Sequence, residues 1–319
     1  MNRKFQKVAA ATICFLLIPY IFTVFMNGNH MKKNRSNSFK QVKIESGNSW
    51  KKVSWEEYFV GILAKEIDVF YEDEALKAQA VLTRTNLYRE IEEDKDVILP
   101  GDYMTYGDME KTWGKKKAKQ IRKHLQKVME ETENKILLYE GKPAVAPFHR
   151  LSNGSTRDGT EAFGNDGYPY LKKKECPKDV ESKLQLQTLT LTYEEAKEYC
   201  QPFLMAVKKE ESEREFTAED FEVLKVDSTG YVMKIRIGDT AYSGEKFRDA
   251  LALPSGCFTL QDQEGNLKIT TKGVGHGVGM SQYTANELAK EGKNYEEILN
   301  YFFEGIECKQ VAEILLNIE

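Results

Sequence analysis

The longest apolar run of the chain lies near its start. Residues 8–26 read VAAATICFLLIPYIFTVFM, nineteen positions without a charge, long enough to cross the hydrocarbon core of a bilayer as a helix. A secretory signal peptide has a shorter apolar core, followed by small residues at a cleavage site. Here the run passes into Phe25-Met26-Asn27-Gly28-Asn29-His30, so it reads as an uncleaved anchor behind a short stub, residues 1–7. Pro19 inside it is tolerable in a membrane helix. Residues 27–48 are polar, basic and rich in Ser and Asn, and read as a flexible tether.

From about Trp50 the pattern becomes that of a packed domain. Ser54 followed three residues later by Glu57 is a capping box. It predicts a helix to about Ile67 carrying Tyr58, Phe59, Ile62 and Leu63. Leu76, Ala80, Leu87 and Ile91 mark a buried stripe at helical spacing over residues 72–93. A third helix is predicted over 111–133, with Ala118, Ile121, Leu125 and Val128 inward and Lys115, Lys116, Lys117, Arg122 and Lys123 on a solvated face. A hairpin follows: residues 135–139, a turn at Glu140-Gly141-Lys142-Pro143, then residues 144–149. Alternation over 183–193 and 221–272 predicts strands, with turns at Ser228-Thr229-Gly230 and Glu264-Gly265-Asn266. Two helices close the domain, one from about Ser281 to Gly292 and one capped by Asn294 with Glu297, ending before Gly305. No internal repeat is present. The predicted fold is α+β: an N-terminal transmembrane helix, then a domain of helices and mostly antiparallel strands over 50–305, with residues 306–319 as a C-terminal extension.

Composition narrows the function. The 319 residues are 41% hydrophobic and 30% charged, with a net charge of −4. No concentrated basic tract is present, which argues against nucleic acid as the main partner. Of five cysteines, Cys14 lies in the apolar run. Cys176, Cys200, Cys257 and Cys308 are widely spaced with no C-x-x-C pair; they form either two disulfides, in one of three pairings, or four thiols. A zinc site needs three or four ligands. His30 falls in the tether and His124 on a helix, so only His149, His276 and Cys176 remain; neither a metal nor a cofactor is predicted. Glycines at 273, 275, 277 and 279 lack the spacing of a dinucleotide fingerprint, and no Gly-Lys-Ser/Thr follows as in a P-loop. Alternate glycines instead let the backbone approach a ligand or another strand closely, with His276, Ser281, Gln282 and Tyr283 lining the approach. Gly279-Met280-Ser281-Gln282-Tyr283 lacks the second glycine of a nucleophile elbow, so Ser281 reads as a helix cap.

Three stretches are more specific: residues 57–85 (EYFVGILAKEIDVFYEDEALKAQAVLTRT), 147–156 (PFHRLSNGST) and 273–283 (GVGHGVGMSQY). In this order they resemble the stage II sporulation protein D family of peptidoglycan lytic transglycosylases. That family has a helix ending in an acidic residue and then E-A-L-K-A-Q-A-V, an H-S-T-S-G-G-x-T-like loop, and a G-H-G-V-G-M-S-Q-Y-like loop. Residues 74–81 and 275–283 match letter for letter; His149, Ser152, Gly154 and Thr156 match in part. The likeness extends over 50–305 and includes Phe247-Arg248. Ile67-Asp68 stands where the family often has Met-Pro, Thr83 where it often has Ala, and Arg150, Leu151 and Asn153 replace small residues, which marks a divergent member.

The resemblance implies that Glu66 is the catalytic acid. Glycosidic cleavage needs a proton on the departing oxygen, and a partly buried carboxyl can keep one. Without the resemblance, Glu66 would read as a surface carboxylate paired with Lys65 or Lys77. Lys77 and Gln79, polar in a run of alanines, can face a cleft with Arg84 and bind sugar hydroxyls or acetamido groups; alternatively Lys77 and Arg84 are solvated. Asp68 either assists Glu66 or ends the helix. His149, Ser152, His276, Ser281, Gln282 and Tyr283 complete the candidate substrate-binding set. The implied reaction cuts the N-acetylmuramic acid to N-acetylglucosamine bond of peptidoglycan to leave 1,6-anhydro ends, during engulfment in sporulation. The implied substrate is glycan strands stripped of stem peptides. The implied partners are a cell-wall amidase, other engulfment membrane proteins and the membrane. Arg3, Lys4 and Lys7 before the apolar run nearly balance Lys32, Lys33 and Arg35 after it. The substrate therefore decides the orientation: a single pass in the cell membrane, with residues 1–7 cytoplasmic and the large domain outside. The alternative is a noncatalytic glycan-binding protein that enhances an amidase.

Overall fold

A computed structural model describes residues 41–93, 96–204 and 214–311. The expected membrane segment, residues 8–26, lies outside them; no helix among the described residues is long and apolar enough to cross a membrane. The described chain opens with a hairpin, β1 (Gln41–Ser46) and β2 (Ser49–Ser54), paired antiparallel. The expected tether over 27–48 therefore gives way to a strand at Gln41. Val42 and Ile44 face the core while Lys43 and Glu45 point outward, a period of two that the polar surroundings hide.

The N-terminal half is helical. In α1 (Trp55–Glu66) the Ser54 hydroxyl accepts the Glu57 amide at 3.1 Å. The Glu57 carboxylate does not complete the capping box but takes a 3.4 Å hydrogen bond from the Tyr103 hydroxyl. The central element is α2 (Asp73–Glu93). Leu76, Ala80, Leu87 and Ile91 enter one core with Tyr58, Phe59 and Leu63, as the spacing predicts. Ala75, Ala78, Val81 and Leu82 enter a second core. A helix buried on two sides loses its amphipathic signature, and polar residues on it must find partners inside the protein. The helix expected over 111–133 is two, α3 (Tyr106–Trp113) and α4 (Lys115–Glu131), broken at Gly114 with φ 76°. Ala118, Ile121, Leu125 and Val128 are buried as expected.

Strands β3 (Lys135–Tyr139) and β4 (Lys142–Pro143) form a hairpin that turns at Glu140-Gly141, so that Lys142 and Pro143, expected in the turn, are already paired, and the chain then departs. Phe148–His149, strand β5, pairs in parallel with a distant segment, Met280–Ser281, and not back onto β3. A short helix α5 (Gly159–Phe163) and a 3-10 turn (Pro177–Glu181) lead to β6 (Leu186–Thr192). Then come α6 (Tyr193–Leu204), β7 (Phe221–Val226), β8 (Val232–Ile237), β9 (Thr240–Ser243), α7 (Gly244–Ala250), β10 (Phe258–Gln263) and β11 (Asn266–Lys272). The sheets β7-β8-β9 and β10-β11-β6 are antiparallel and enclose a third core with Phe247 of α7. Helix α7 interrupts the stretch 221–272 that alternation alone would make extended, and α6 follows the stretch 183–193 where no element was expected. After β12 (Met280–Ser281) come α8 (Gln282–Lys290) and α9 (Tyr295–Phe302), the latter opened by the full Asn294/Glu297 capping box. Strand β13 (Glu307–Gln310) pairs antiparallel with β3, so residues expected to extend past the domain close one of its sheets. The α+β class with mostly antiparallel pairing stands. Cys176, Cys200, Cys257 and Cys308 are free thiols.

Candidate active site

Glu66 is the last residue of α1, and Ile67 turns into extended backbone with its N–H returning to Leu63 O at 3.3 Å. The apolar body of α1 thus ends by presenting one carboxyl. Beneath it, α2 supplies Gln79 and Thr83, one turn apart and both buried. The Thr83 hydroxyl donates to Glu66 Oε2, and Gln79 Nε2 donates to the same oxygen at 3.2 Å. From the start of α8, Gln282 Nε2 donates to Glu66 O at 2.8 Å and to Gln79 Oε1 at 3.1 Å. Burial raises the Glu66 pKa to about 7, against the hydrogen bonds of Thr83 and Gln79, which lower it. Glu66 is paired with neither Lys65 nor Lys77: Lys65 pairs with Asp102, and Lys77 with Glu74 and Glu131.

Two cavities flank this carboxyl, and both are lined by Lys65, Glu66 and Phe148. One, about 370 Å³, also has Asp68, His149, Arg150 and Gln282 on its walls. The other, about 600 Å³, runs past Tyr58, Thr83, Asn86, Arg89 and Asp102. Glu66 therefore stands where two open cavities meet as one groove. The smaller has mainly polar walls and the larger has Ile62, Leu87 and Pro100 among its charged and polar residues, a form that suits a polymer passing a reacting group. Asp68 shares the groove, and its carboxylate also accepts the Phe70 amide at 3.1 Å.

The glycine-rich loop and the middle loop pack against each other through β5–β12 and the Leu151–Val274 bridge. Gly275, at φ 115°, explains the need for glycine: a Cβ there would sit 2.6 Å from His149 Cβ. Of the two readings of these glycines, close approach to another strand is the one that the geometry supports. His149 and His276 lie with ring centroids 5.9 Å apart and bracket Val278: His149 Nδ1 meets its carbonyl at 3.1 Å, and His276 Nδ1 accepts its N–H at 3.1 Å. Burial pushes their pKa values down to about 3 and about 4, so both are neutral near pH 7. His149 reaches a groove wall; His276 holds the loop behind it. Tyr283 is half-buried, and its N–H donates to Arg150 O at 3.2 Å.

Besides Gln79 and His276, which line neither cavity, four more of the expected substrate contacts are held in internal bonds. Lys77 lines neither cavity; its pairs with Glu74 at 2.8 Å and Glu131 at 2.9 Å tie α2 to α4. Arg84 is fully buried and donates to Lys135 O, Met129 O and Thr132 Oγ1 at 3.0, 3.2 and 2.9 Å, with its guanidinium over Phe59. It joins the end of α4 to β3 and is out of reach of any ligand. Ser152 and Ser281 are buried on Asp179. Ser281 also caps α8 through the Thr284 amide at 3.4 Å, as its sequence context suggests.

Asp179 has no counterpart in the sequence reading. This buried carboxylate accepts the Ser152 amide at 2.7 Å, the Ser281 hydroxyl at 2.7 Å and the Thr284 hydroxyl at 2.6 Å. Burial pushes its pKa up and these donors pull it down. It fastens the middle loop to the start of α8, and thereby to Gln282. A buried ion pair, Arg157–Asp227 at 2.5 Å, does the same for the glycine loop through Arg157 and the His276 carbonyl, 3.1 Å apart. In sequence, both acids sit in ordinary polar stretches and carry no motif.

These features define an α+β protein with one desolvated carboxyl in an open groove, assembled from three separated stretches. The family model described as SpoIID, stage II sporulation protein, matches residues 44–139. Stage II sporulation protein D of Bacillus amyloliquefaciens is 31% identical over 282 residues, 85% of this chain and 78% of its own. That of Bacillus subtilis (strain 168) is 31% identical over 274 residues, 82% and 76% of the two chains. The amidase enhancer of Bacillus subtilis (strain 168) is 25% identical over 289 residues, 77% of this chain and 39% of its own. The chain belongs to the stage II sporulation protein D family.

Proposed function

We propose that this protein is a lytic transglycosylase of peptidoglycan, with Glu66 as its acid and then its base. The observation that carries this reading is the Glu66 carboxyl, held at a pKa of about 7 where the two cavities meet. A group of that pKa gives and takes a proton with equal ease near neutral pH. Glu66 protonates the glycosidic oxygen between N-acetylmuramic acid and N-acetylglucosamine, and the C1–O bond breaks with its electron pair going to the leaving oxygen. The 6-hydroxyl of the same muramic acid attacks C1 and returns its proton to Glu66, which closes the 1,6-anhydro ring. No water enters at the anomeric carbon, so the second carboxylate that ordinary glycosidases use to activate water or as a nucleophile is not required.

The substrate is glycan already stripped of stem peptides by an amidase, during engulfment. Stripping frees a lactyl carboxylate on each muramic acid. Arg150, exposed on the groove wall, makes no ion pair among the described residues and offers a cation for that carboxylate. Residues 8–26 anchor the protein in the cell membrane with the domain outside, beside the amidase and other engulfment membrane proteins. The test is digestion of purified stripped glycan with the full-length protein, followed by mass spectrometry. Anhydro ends from the wild type and none from Glu66→Gln support the reading. The likeness to the amidase enhancer favours one second reading, a noncatalytic protein that binds glycan and stimulates an amidase. Tight glycan binding with no anhydro product, together with faster amidase turnover, would establish it.

A further inference from the structure

We infer that Thr83 and Gln79 assign the two oxygens of the Glu66 carboxyl to different tasks: Oε2 is a fixed acceptor that never carries the reactive proton, and Oε1 is the oxygen that exchanges it with the sugar. The inference rests on the transglycosylase reading and adds to it a division of labour within one side chain, with Thr83 as a positioning residue.

The geometry is specific. Two donors, the Thr83 hydroxyl and the Gln79 amide, converge on Oε2. Gln79 cannot turn its amide over without loss, because its Oε1 accepts from Gln282 Nε2 at 3.1 Å. Gln282 is held in turn by its bond to the Glu66 carbonyl at 2.8 Å. Gln79 Nε2 also lies 3.3 Å from Thr83 Oγ1, so the hydroxyl accepts from the amide as it donates to the carboxyl. Both side chains are buried, although Thr83 lies at the edge of the larger cavity. Oε1 has no hydrogen bond to any described residue, and the half-buried Glu66 lines both halves of the groove. A protonated carboxyl places its hydrogen on the oxygen that is not already accepting two bonds, which here is Oε1.

This arrangement has a chemical consequence. When Oε1 releases its proton to the leaving oxygen, the charge left on the carboxylate strengthens the two bonds at Oε2, since hydrogen bonds to an ionised acceptor are about twice as strong as neutral ones. The donors are already in place and need no reorganisation as charge develops. They also offset part of the burial that holds the group protonated. A residue without a hydroxyl at position 83, such as the alanine that the family often carries, leaves Oε2 with the Gln79 amide alone. The Thr83 hydroxyl is thus a tuning element of this chain.

The test is carboxyl titration by 13C NMR of the full-length protein in detergent, labelled at glutamate, with Glu66→Gln identifying the Glu66 signal. Thr83→Val keeps the side-chain shape and removes the hydroxyl. It is expected to raise the Glu66 midpoint by about one to two pH units, the equivalent of one hydrogen bond to a charged group. Thr83→Ser is expected to stay within about half a unit of the wild type. The pH profile of glycan cleavage should move by the same amount and in the same direction in Thr83→Val and return in Thr83→Ser. An unchanged midpoint in a folded Thr83→Val protein overturns the inference, as does a serine variant that titrates like the valine one. If the wild type forms no anhydro product, the transglycosylase reading fails, and the NMR midpoints still decide the hydrogen-bond assignment.

Discussion

Glu66 at its pKa of about 7 stands well above its ordinary value of 4.5 because of burial, and two outcomes follow at the scale of this residue. Glu66→Gln keeps the size and removes the proton, so cleavage should fall by roughly 10²–10⁴-fold while circular dichroism and glycan binding stay unchanged. Stability should move the other way. Since the folded pKa is raised, ionisation of Glu66 disfavours the folded state. Its contribution is intact below pH 4.5 and is lost as the pH rises through about 7. Glu66→Gln should therefore be more stable than the wild type at pH 8, by about 1–3 kcal/mol, with no difference at pH 4; urea melts at the two pH values measure this. Glu66 itself was readable because its family motif names it. Thr83 was visible only as a departure from that motif, and its role appeared once α2 was seen to pass under the end of α1. Lys77 and Arg84 misled for the same reason. Position on a helix says which residues share a face, but not which face meets a groove and which meets another core.

At the scale of elements, the two loops that frame the groove are held by buried acids. Removing the Asp179 carboxylate leaves the Ser152 amide and the Ser281 and Thr284 hydroxyls without their acceptor. Unpaired buried donors cost about 1–3 kcal/mol each before relaxation, so Asp179→Ala should destabilise the protein by about 2–4 kcal/mol in chemical denaturation. Cleavage should fall in the fraction that stays folded, because Gln282 follows from the same cap. Elements whose signal is local came through the sequence well: the Ser54 and Asn294 caps, the α4 stripe and the Glu264-Gly265-Asn266 turn. Those fixed by distant contacts did not. β5 looked like half of a hairpin, yet it pairs with β12 more than a hundred residues away. The break at Gly114 lies ahead of the stripe of Ala118, Ile121, Leu125 and Val128, which does not mark where its helix starts. The buried trio Tyr193, Ala196 and Cys200 of α6 runs from the end of the first stretch read as a strand into the interval before the second, where no element is expected.

At the scale of the whole molecule, the groove has its own charge pattern. If Arg150 meets the lactyl carboxylate, Arg150→Ala should raise KM for stripped glycan about tenfold, the worth of one exposed charge-assisted contact, with kcat little changed. Glycan whose carboxylates have been converted to amides should show no such difference. The anchor is tested by fractionating cells and sequencing the N-terminus; a soluble mature form beginning after Met26 would remove it. The position of β1 then sets a distance. If residues 8–26 lie in the bilayer, as proposed, then with the first strand at Gln41 only residues 27–40 remain between them. Fourteen residues span at most about 50 Å when fully extended, and roughly 20 Å as a relaxed coil. Under the proposed function, so short a lead would let the domain reach only the wall layers nearest the membrane. Under that reading, progress through the wall would require the membrane itself to advance, with each strand cut making room for the next stretch of bilayer to move up.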